Sequence, residues 1–379
     1  MLFHLFFELK DQFTPLNVFR YPSFRIIVAF ATALLITWSL FPWFIRQLQL
    51  RQIGQVVSES LGQHHINKKN TPTMGGILII IATVVSTLMW ADLTNMMVWM
   101  IVVVTMLYAV VGFVDDVMKL GVRGSKGLSE RGKLVGQVGI ALAALSGLLW
   151  VGADGFSTDL YVPFVSTEKL QISLPPWLYL IFGTLVIVGA SNALNLTDGL
   201  DGLAIGPVIA GAGTTALLAY LAATTFTIPV LVGEVSSLAT FDISAYLRIP
   251  HVAGGAELAI FAAAMAGAGV GFLWYNANPA EVFMGDVGAL GLGAALGMMC
   301  VLTKNELLCV IIMFIPVIET LSVIIQRYSY KMRGKRVFLM APIHHHFEKK
   351  NWGETKIVVR FWIISFLFCL LAIASLKLR

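Results

Sequence analysis

Apolar runs of roughly 20 residues recur along this chain, and polar residues return between them in five tight clusters. A bilayer core about 30 Å thick is crossed by about 20 helical residues. Ten spans are predicted: 23–45, 74–91, 96–114, 134–152, 176–194, 203–223, 256–274, 287–302, 306–328 and 357–376. Only 12% of residues are charged, against about 25% in soluble domains. The reading is an all-α polytopic membrane protein, with residues 1–379 forming a single integral-membrane domain. The apolar stretch Met1 to Phe7 is too short for a signal peptide and is followed at once by Glu8, Lys10 and Asp11, so residues 1–20 are expected to lie along the membrane surface. Residues 224–255 are mixed in character, with Pro229, Glu234, Asp242, Arg248 and Pro250, and are expected to form a loop region with short elements on the periplasmic side.

The clusters run from His64 to Thr73, Asp115 to Lys133, Asn195 to Asp201, Asn276 to Asp286 and Pro342 to Phe347. An even number of predicted spans separates consecutive clusters, so all five share one membrane face. Loops on that face hold 18 of the 26 Lys and Arg residues, and the connecting loops opposite hold only Lys169, Arg248 and Lys304. Basic loops stay inside, which places the clusters in the cytoplasm and both termini outside. The net charge of +5 is then a topology signal, and no nucleic-acid-binding module is present. Cys300, Cys309 and Cys369 form no CxxC pair.

Asp115 and Asp116 put two adjacent carboxylates where the third span ends. They repel unless a cation is present, and Mg2+ suits them because it takes hard oxygen ligands together with substrate phosphates; a solvated helix end is the plain alternative. Lys at 119 rules out a DDxxD motif. Asn195, Asp198 and Asp201 recur every three residues, beside Gly199 and Gly202, which suits cation or polar-ligand binding, or else an Asx-rich turn. Asn276 opens a segment ending in Asp286, which could also cap the next helix. Lys68, Thr73, Gly75 and Gly76 precede a span and could hold phosphate or touch anionic lipid. His344, His345 and His346 are consecutive and cannot share one helical face, so a loop is predicted there. Without HExxH spacing they suit hydrogen bonding or charge neutralisation beside phosphate. With Lys119, Lys126, Arg131 and Lys133 they suit a magnesium-bound pyrophosphate.

Five segments carry a resemblance: Thr71-Pro72-Thr73-Met74-Gly75-Gly76, Asp115-Asp116, Asn195-Leu196-Thr197-Asp198-Gly199-Leu200-Asp201-Gly202, Glu281-Val282-Phe283-Met284-Gly285-Asp286 and Ala341-Pro342-Ile343-His344-His345-His346-Phe347-Glu348. In order and spacing they resemble the phospho-N-acetylmuramoyl-pentapeptide transferases, a family of the polyprenyl-phosphate N-acetylhexosamine-1-phosphate transferase superfamily. The resemblance implies a ten-helix enzyme of the bacterial inner membrane, commonly a homodimer. It would move phospho-MurNAc-pentapeptide from UDP-MurNAc-pentapeptide to undecaprenyl phosphate with Mg2+, giving lipid I and UMP. Carried over, Asp115, Asp116, Asp286, His345 and His346 are catalytic positions; Lys68, Thr73, Lys119, Lys133, Asn195, Asp198, Asp201, Asn276 and His344 are substrate-binding ones; and Asp116, Asp198 and Asp286 are the metal positions. Two rival readings are a GlcNAc-1-phosphate transferase of the same superfamily and an ion-coupled transporter, which would need ionisable groups near mid-span.

Overall fold

In the computed structural model the chain is almost entirely helical, and the structure describes residues 1–51, 71–121, 127–152, 156–166, 169–232 and 235–377. The helices are α1 (Leu2–Leu9), α2 (Pro22–Leu50), α3 (Gly76–Trp90), α4 (Met96–Gly121), α5 (Glu130–Val151), α6 (Pro176–Thr197), α7 (Ile205–Ala223), α8 (Ile243–Leu247), α9 (Gly255–Asn276), α10 (Gly285–Leu302), α11 (Cys309–Ile312), α12 (Phe314–Arg333), α13 (Ile343–Lys349) and α14 (Glu354–Ala374). Two antiparallel hairpins interrupt them, Asp159–Tyr161 with Gln171–Ser173 and Thr225–Val232 with Val235–Asp242. Among the described residues, eight helices are long and apolar enough to cross a membrane: α2, α4, α5, α6, α7, α9, α10 and α14. The chain is thus an all-α multi-pass membrane protein, since helices satisfy their own backbone groups in hydrocarbon.

Two of the ten predicted spans take another form. The run at 74–91 yields α3, only 15 residues long, because Met74 stands at φ +75° and Ala91 at ψ 157°, both outside the helical region. The run at 306–328 breaks at Met313 (φ −99°, ψ 34°) into α11 and α12. In α12 the apolar face ends in a polar, basic last turn that includes Lys331 and Arg333. The short elements of residues 224–255 are a β-hairpin followed by α8. The histidine run is helical, not a loop: consecutive residues on α13 project in three directions, so a helix can carry all three.

At the centre stands α10, every residue of which from Val287 to Leu302 is buried. It packs against α4, α6, α3 and α7, while α9 packs against α2 and α7. Side-chain-free positions permit this closeness: a Cβ on Gly267 of α9 would lie 2.1 Å from the Phe30 carbonyl oxygen of α2. By contrast α2, α5 and α14 expose most of their apolar length. The N-terminal segment is tied down by the Met1 amine donating to Leu88 O at 2.6 Å, and by the Phe19 ring stacked on Trp90.

Candidate active site

Four helix ends meet on one side of α10. The end of α4 brings Asp115, Asp116 and Lys119, continuing the helix seven residues beyond the predicted boundary at 114. The first turn of α5 brings Lys133, behind a Ser129 cap whose Oγ accepts from Gly132 N–H. The last turn of α6 brings Asn195, with Asp198 just past it, and the first turn of α10 brings Asp286. The acids therefore crowd helix ends and not mid-span, as chemistry at a membrane face needs and an ion pathway through the bundle does not.

Two lysines bridge two of these acids. Lys119 Nζ lies 2.8 Å from Asp115 Oδ2 and 3.0 Å from Asp286 Oδ2. Lys133 Nζ lies 2.6 Å from Asp286 Oδ2 and 3.4 Å from Asp115 Oδ2. Asn195 Nδ2 donates to Asp286 Oδ1 at 2.8 Å, and Leu128 N–H to Asp115 Oδ1 at 2.6 Å. Asp116 accepts from Val287 N–H at 3.2 Å. Among the described residues neither Asp116 nor Asp198 has a cationic partner. Burial, and then the charges of Asp286 and Asp116, push the Asp198 carboxyl up to about 7. Among the described residues four carboxyl groups share two ammonium groups, which leaves this part of the pocket short of positive charge.

That deficit suits a divalent cation, and the donors are hard oxygens of the kind Mg2+ selects. Gly285 (φ +74°) opens the space: a Cβ there would lie 2.8 Å from Asp116 Oδ2 and 3.0 Å from Thr73 Oγ1. Among the described residues no three His, Cys, Asp or Glu side chains close on a metal by themselves. The expected trio Asp116, Asp198 and Asp286 is not assembled as a ligand set, since Asp286 is occupied by lysine and amide donors. Mg2+ commonly uses one or two carboxylates plus substrate phosphate, so the donor set fits.

Thr73 reaches the pocket through long-range backbone bonds. Gly75 N–H donates to Phe283 O, Gly76 N–H to Met284 O and Phe283 N–H to Pro72 O, each at 2.8 Å. These zip the threonine-glycine segment onto the strand of chain before Asp286.

Asp201 and Asn276, expected as binding residues, make contacts that hold the scaffold. Asp201 Oδ2 accepts from Asn278 Nδ2 at 3.0 Å and from Ala280 N–H at 3.1 Å, and Asn276 Oδ1 accepts from Gly202 N–H at 3.0 Å. Two residues missed in the sequence complete the clamp: Glu354 Oε1 accepts from Asp201 N–H, and Trp362 Nε1 donates to Gly202 O. Nothing in the 354–362 sequence marks them, because they lie more than 150 residues from the turn that they hold. His344 is buried beside Glu319. His345 pairs with Glu348, and His346 Nδ1 accepts from Leu339 N–H at 3.1 Å; neither pairs with an aspartate of the cluster. Lys68 and Lys126 lie outside the described residues.

Residues 98–304 match the glycosyl transferase family 4 model, and residues 68–80 match phospho-N-acetylmuramoyl-pentapeptide-transferase signature 1. Proteins called phospho-N-acetylmuramoyl-pentapeptide-transferase from Sorangium cellulosum, Geobacter sp. (strain M21) and Pelobacter propionicus are each 50% identical to it, over 100% of both chains. The chain belongs to the phospho-N-acetylmuramoyl-pentapeptide-transferase family. Within this family frame, the signature segment is the stretch that delivers Thr73 and zips onto residues 283–284.

Proposed function

We propose that this enzyme transfers phospho-MurNAc-pentapeptide from UDP-MurNAc-pentapeptide to undecaprenyl phosphate, releasing UMP and forming lipid I, the first membrane step of peptidoglycan synthesis. The observation that carries the reading is the meeting of Asp115, Asp116, Asp198 and Asp286 with Lys119 and Lys133 at one end of the helix bundle. Such a pocket takes a diphosphate with a divalent cation, and the full-length relatives name the donor group.

An oxygen of the lipid phosphate attacks the β-phosphorus of the donor. The bond from that phosphorus to the bridging oxygen breaks, and UMP leaves with the oxygen. One diphosphate is exchanged for another, so no further energy source is required. Lys119 and Lys133 exchange carboxylate for phosphate oxygens and stabilise the charge that builds there. Asp115 or Asp116 assists the acceptor phosphate, and Asn195 keeps Asp286 oriented. Thr73 and Lys68 hold donor phosphates, and His345 and His346 neutralise charge at the rim. Asp116 and Asp198 would hold Mg2+ together with substrate phosphate oxygens, and the ion would supply charge neutralisation and polarisation of the phosphoryl oxygens.

The same reading places the enzyme in the bacterial inner membrane with the pocket toward the cytoplasm, both termini outside, α3 and α11–α12 as the ninth and tenth spans, and two copies forming a homodimer. Lys and Arg placement supports the orientation. The test is UMP release by the purified protein in detergent with Mg2+, donor and undecaprenyl phosphate. Activity is expected in wild type, is lost with EDTA, and falls at least 10³-fold in Asp116→Asn and Asp286→Asn. UMP release from UDP-GlcNAc but not from the MurNAc donor would reassign the substrate. A phosphorylated enzyme trapped with donor alone would replace the one-step path with two displacements.

A further inference from the structure

Glu319 belongs to none of the five clusters, yet it is a carboxylate with 0% exposure, set on α12 behind the site. A buried carboxylate is costly unless it is paired. Its neighbour is His344, met twice: Nδ1 stands 3.1 Å from Glu319 Oε1, at ion-pair distance but without hydrogen-bond geometry, and the His344 backbone N–H donates to Oε2 at 3.4 Å. His344 is itself 1% exposed. Its far edge presses on the Asn195–Gly202 turn, where a Cβ on Gly199 would lie 2.4 Å from Nε2 and 2.9 Å from Cε1. Among the described residues Nε2 has no hydrogen-bond partner, so the imidazole acts on the turn by contact.

Among the described residues Asn276, Asn278, Ala280, Glu354 and Trp362 engage Asp201 and Gly202, and the Gly285 N–H holds the Asp198 carboxyl itself. None engages Gly199, which follows Asp198 directly. We propose that Glu319 is a positioning residue for the transferase site: it fixes the His344 ring, and the ring sets the half of the turn that carries Asp198. The glycine at 199 is the complement of that ring, since any side chain there would displace it.

The proposal rests on the transferase reading, and two arms separate their failures. In the first, kinetics are measured with donor, undecaprenyl phosphate and Mg2+. Glu319→Gln lowers kcat about 10- to 100-fold, the range for losing a residue that orients a functional group, with the acceptor KM within about twofold. Glu319→Asp recovers part of the loss. In a His344→Ala background, Glu319→Gln costs nothing more, because its route to the site is gone. Losses that multiply in the double variant, or a loss confined to KM, would overturn the proposal; an inactive wild type would overturn the transferase reading alone.

The second arm needs no substrate. Gly199→Ala lowers the melting temperature in wild type, and His344→Ala relieves that cost, so the two changes are strongly non-additive. Additive melting shifts would overturn the proposal even if Glu319→Gln failed to fold.

Discussion

Gly112 sits one turn before the Asp115–Asp116 pair, where α4 crosses the start of α10. In Gly112→Ala the new methyl would lie 2.3 Å from the Asp286 carbonyl oxygen, 2.5 Å from its carbon and 2.7 Å from Val287 N. Ordinary contact begins at 3.4 Å, so the two helices must part by about 1 Å in an interior packed too densely to absorb it. All three atoms are backbone, and no rotamer change relieves the clash. Overpacking of this kind costs about 1–3 kcal/mol. The displacement falls on Asp286 and on the Val287 N–H that holds Asp116, so it separates acids that must act together. A shift of about 1 Å at reacting groups costs about 10²-fold in rate. The expected result is a kcat for UMP release about 10²-fold below wild type, with a lowered melting temperature but a protein still folded under assay conditions. Gly139→Ala on α5 is the control: its Cβ meets nothing within 4 Å, so activity should hold while stability rises by up to about 1 kcal/mol. Wild-type kcat in a folded Gly112→Ala enzyme would refute the idea that this crossing sets the pocket.

Lys133→Met strips a cation from Asp115 and Asp286 in a largely buried setting, and should cost about 3–5 kcal/mol, read as a large melting-temperature drop; a shift no greater than that of the exposed Lys356→Met would contradict it. Asp198, pushed up to about 7, keeps its proton in the folded protein where the unfolded chain, with an ordinary value of about 3.9, has lost it. Its stabilising contribution is therefore complete below about pH 4 and is lost as pH climbs to about 7. Without divalent cation, the melting temperature of wild type minus that of Asp198→Asn should be higher at about pH 5.5 than at about pH 8, and a flat difference would rule this out. Lys304 lies between α10 and α11, bonded to Glu306 at 2.9 Å, Tyr179 Oη at 3.0 Å and Ser157 O at 2.9 Å. Lys304→Met leaves buried Glu306 without a counter-ion, held by the Tyr179 hydroxyl at 2.6 Å, and should cost about 3–5 kcal/mol, while kcat per folded enzyme stays unchanged in the UMP assay.

The acids of the pocket were legible in the sequence because an ionised group beside a long apolar run has few innocent explanations. Asp115, Asp116, Asn195, Asp198 and Asp286 do converge. The roles of Asp201 and Asn276 were not legible, because carboxylates and amides that bind ligands and those that tie loops together are the same residue types. Only the partners, Asn278, Ala280 and Gly202, separate the two uses. The zip between residues 72–76 and 283–284 is made of backbone bonds, which leave no side-chain signature. The histidine run misled for a geometric reason: the failure of three neighbours to share a face excludes a common ligand, not a helix.

Because neighbouring helices sheathe α10 along its whole length, it has almost no boundary with the acyl chains. Membranes of different thickness are met by tilting lipid-facing helices at modest cost, and here α2, α5 and α14 are the lipid-facing ones. Asp286 keeps its depth on the sheathed helix, whereas α5 carries Lys133 and α14 carries Glu354 and Trp362 toward it. Growth conditions that remodel the bilayer should therefore reach the chemistry through those two helices and not through α10.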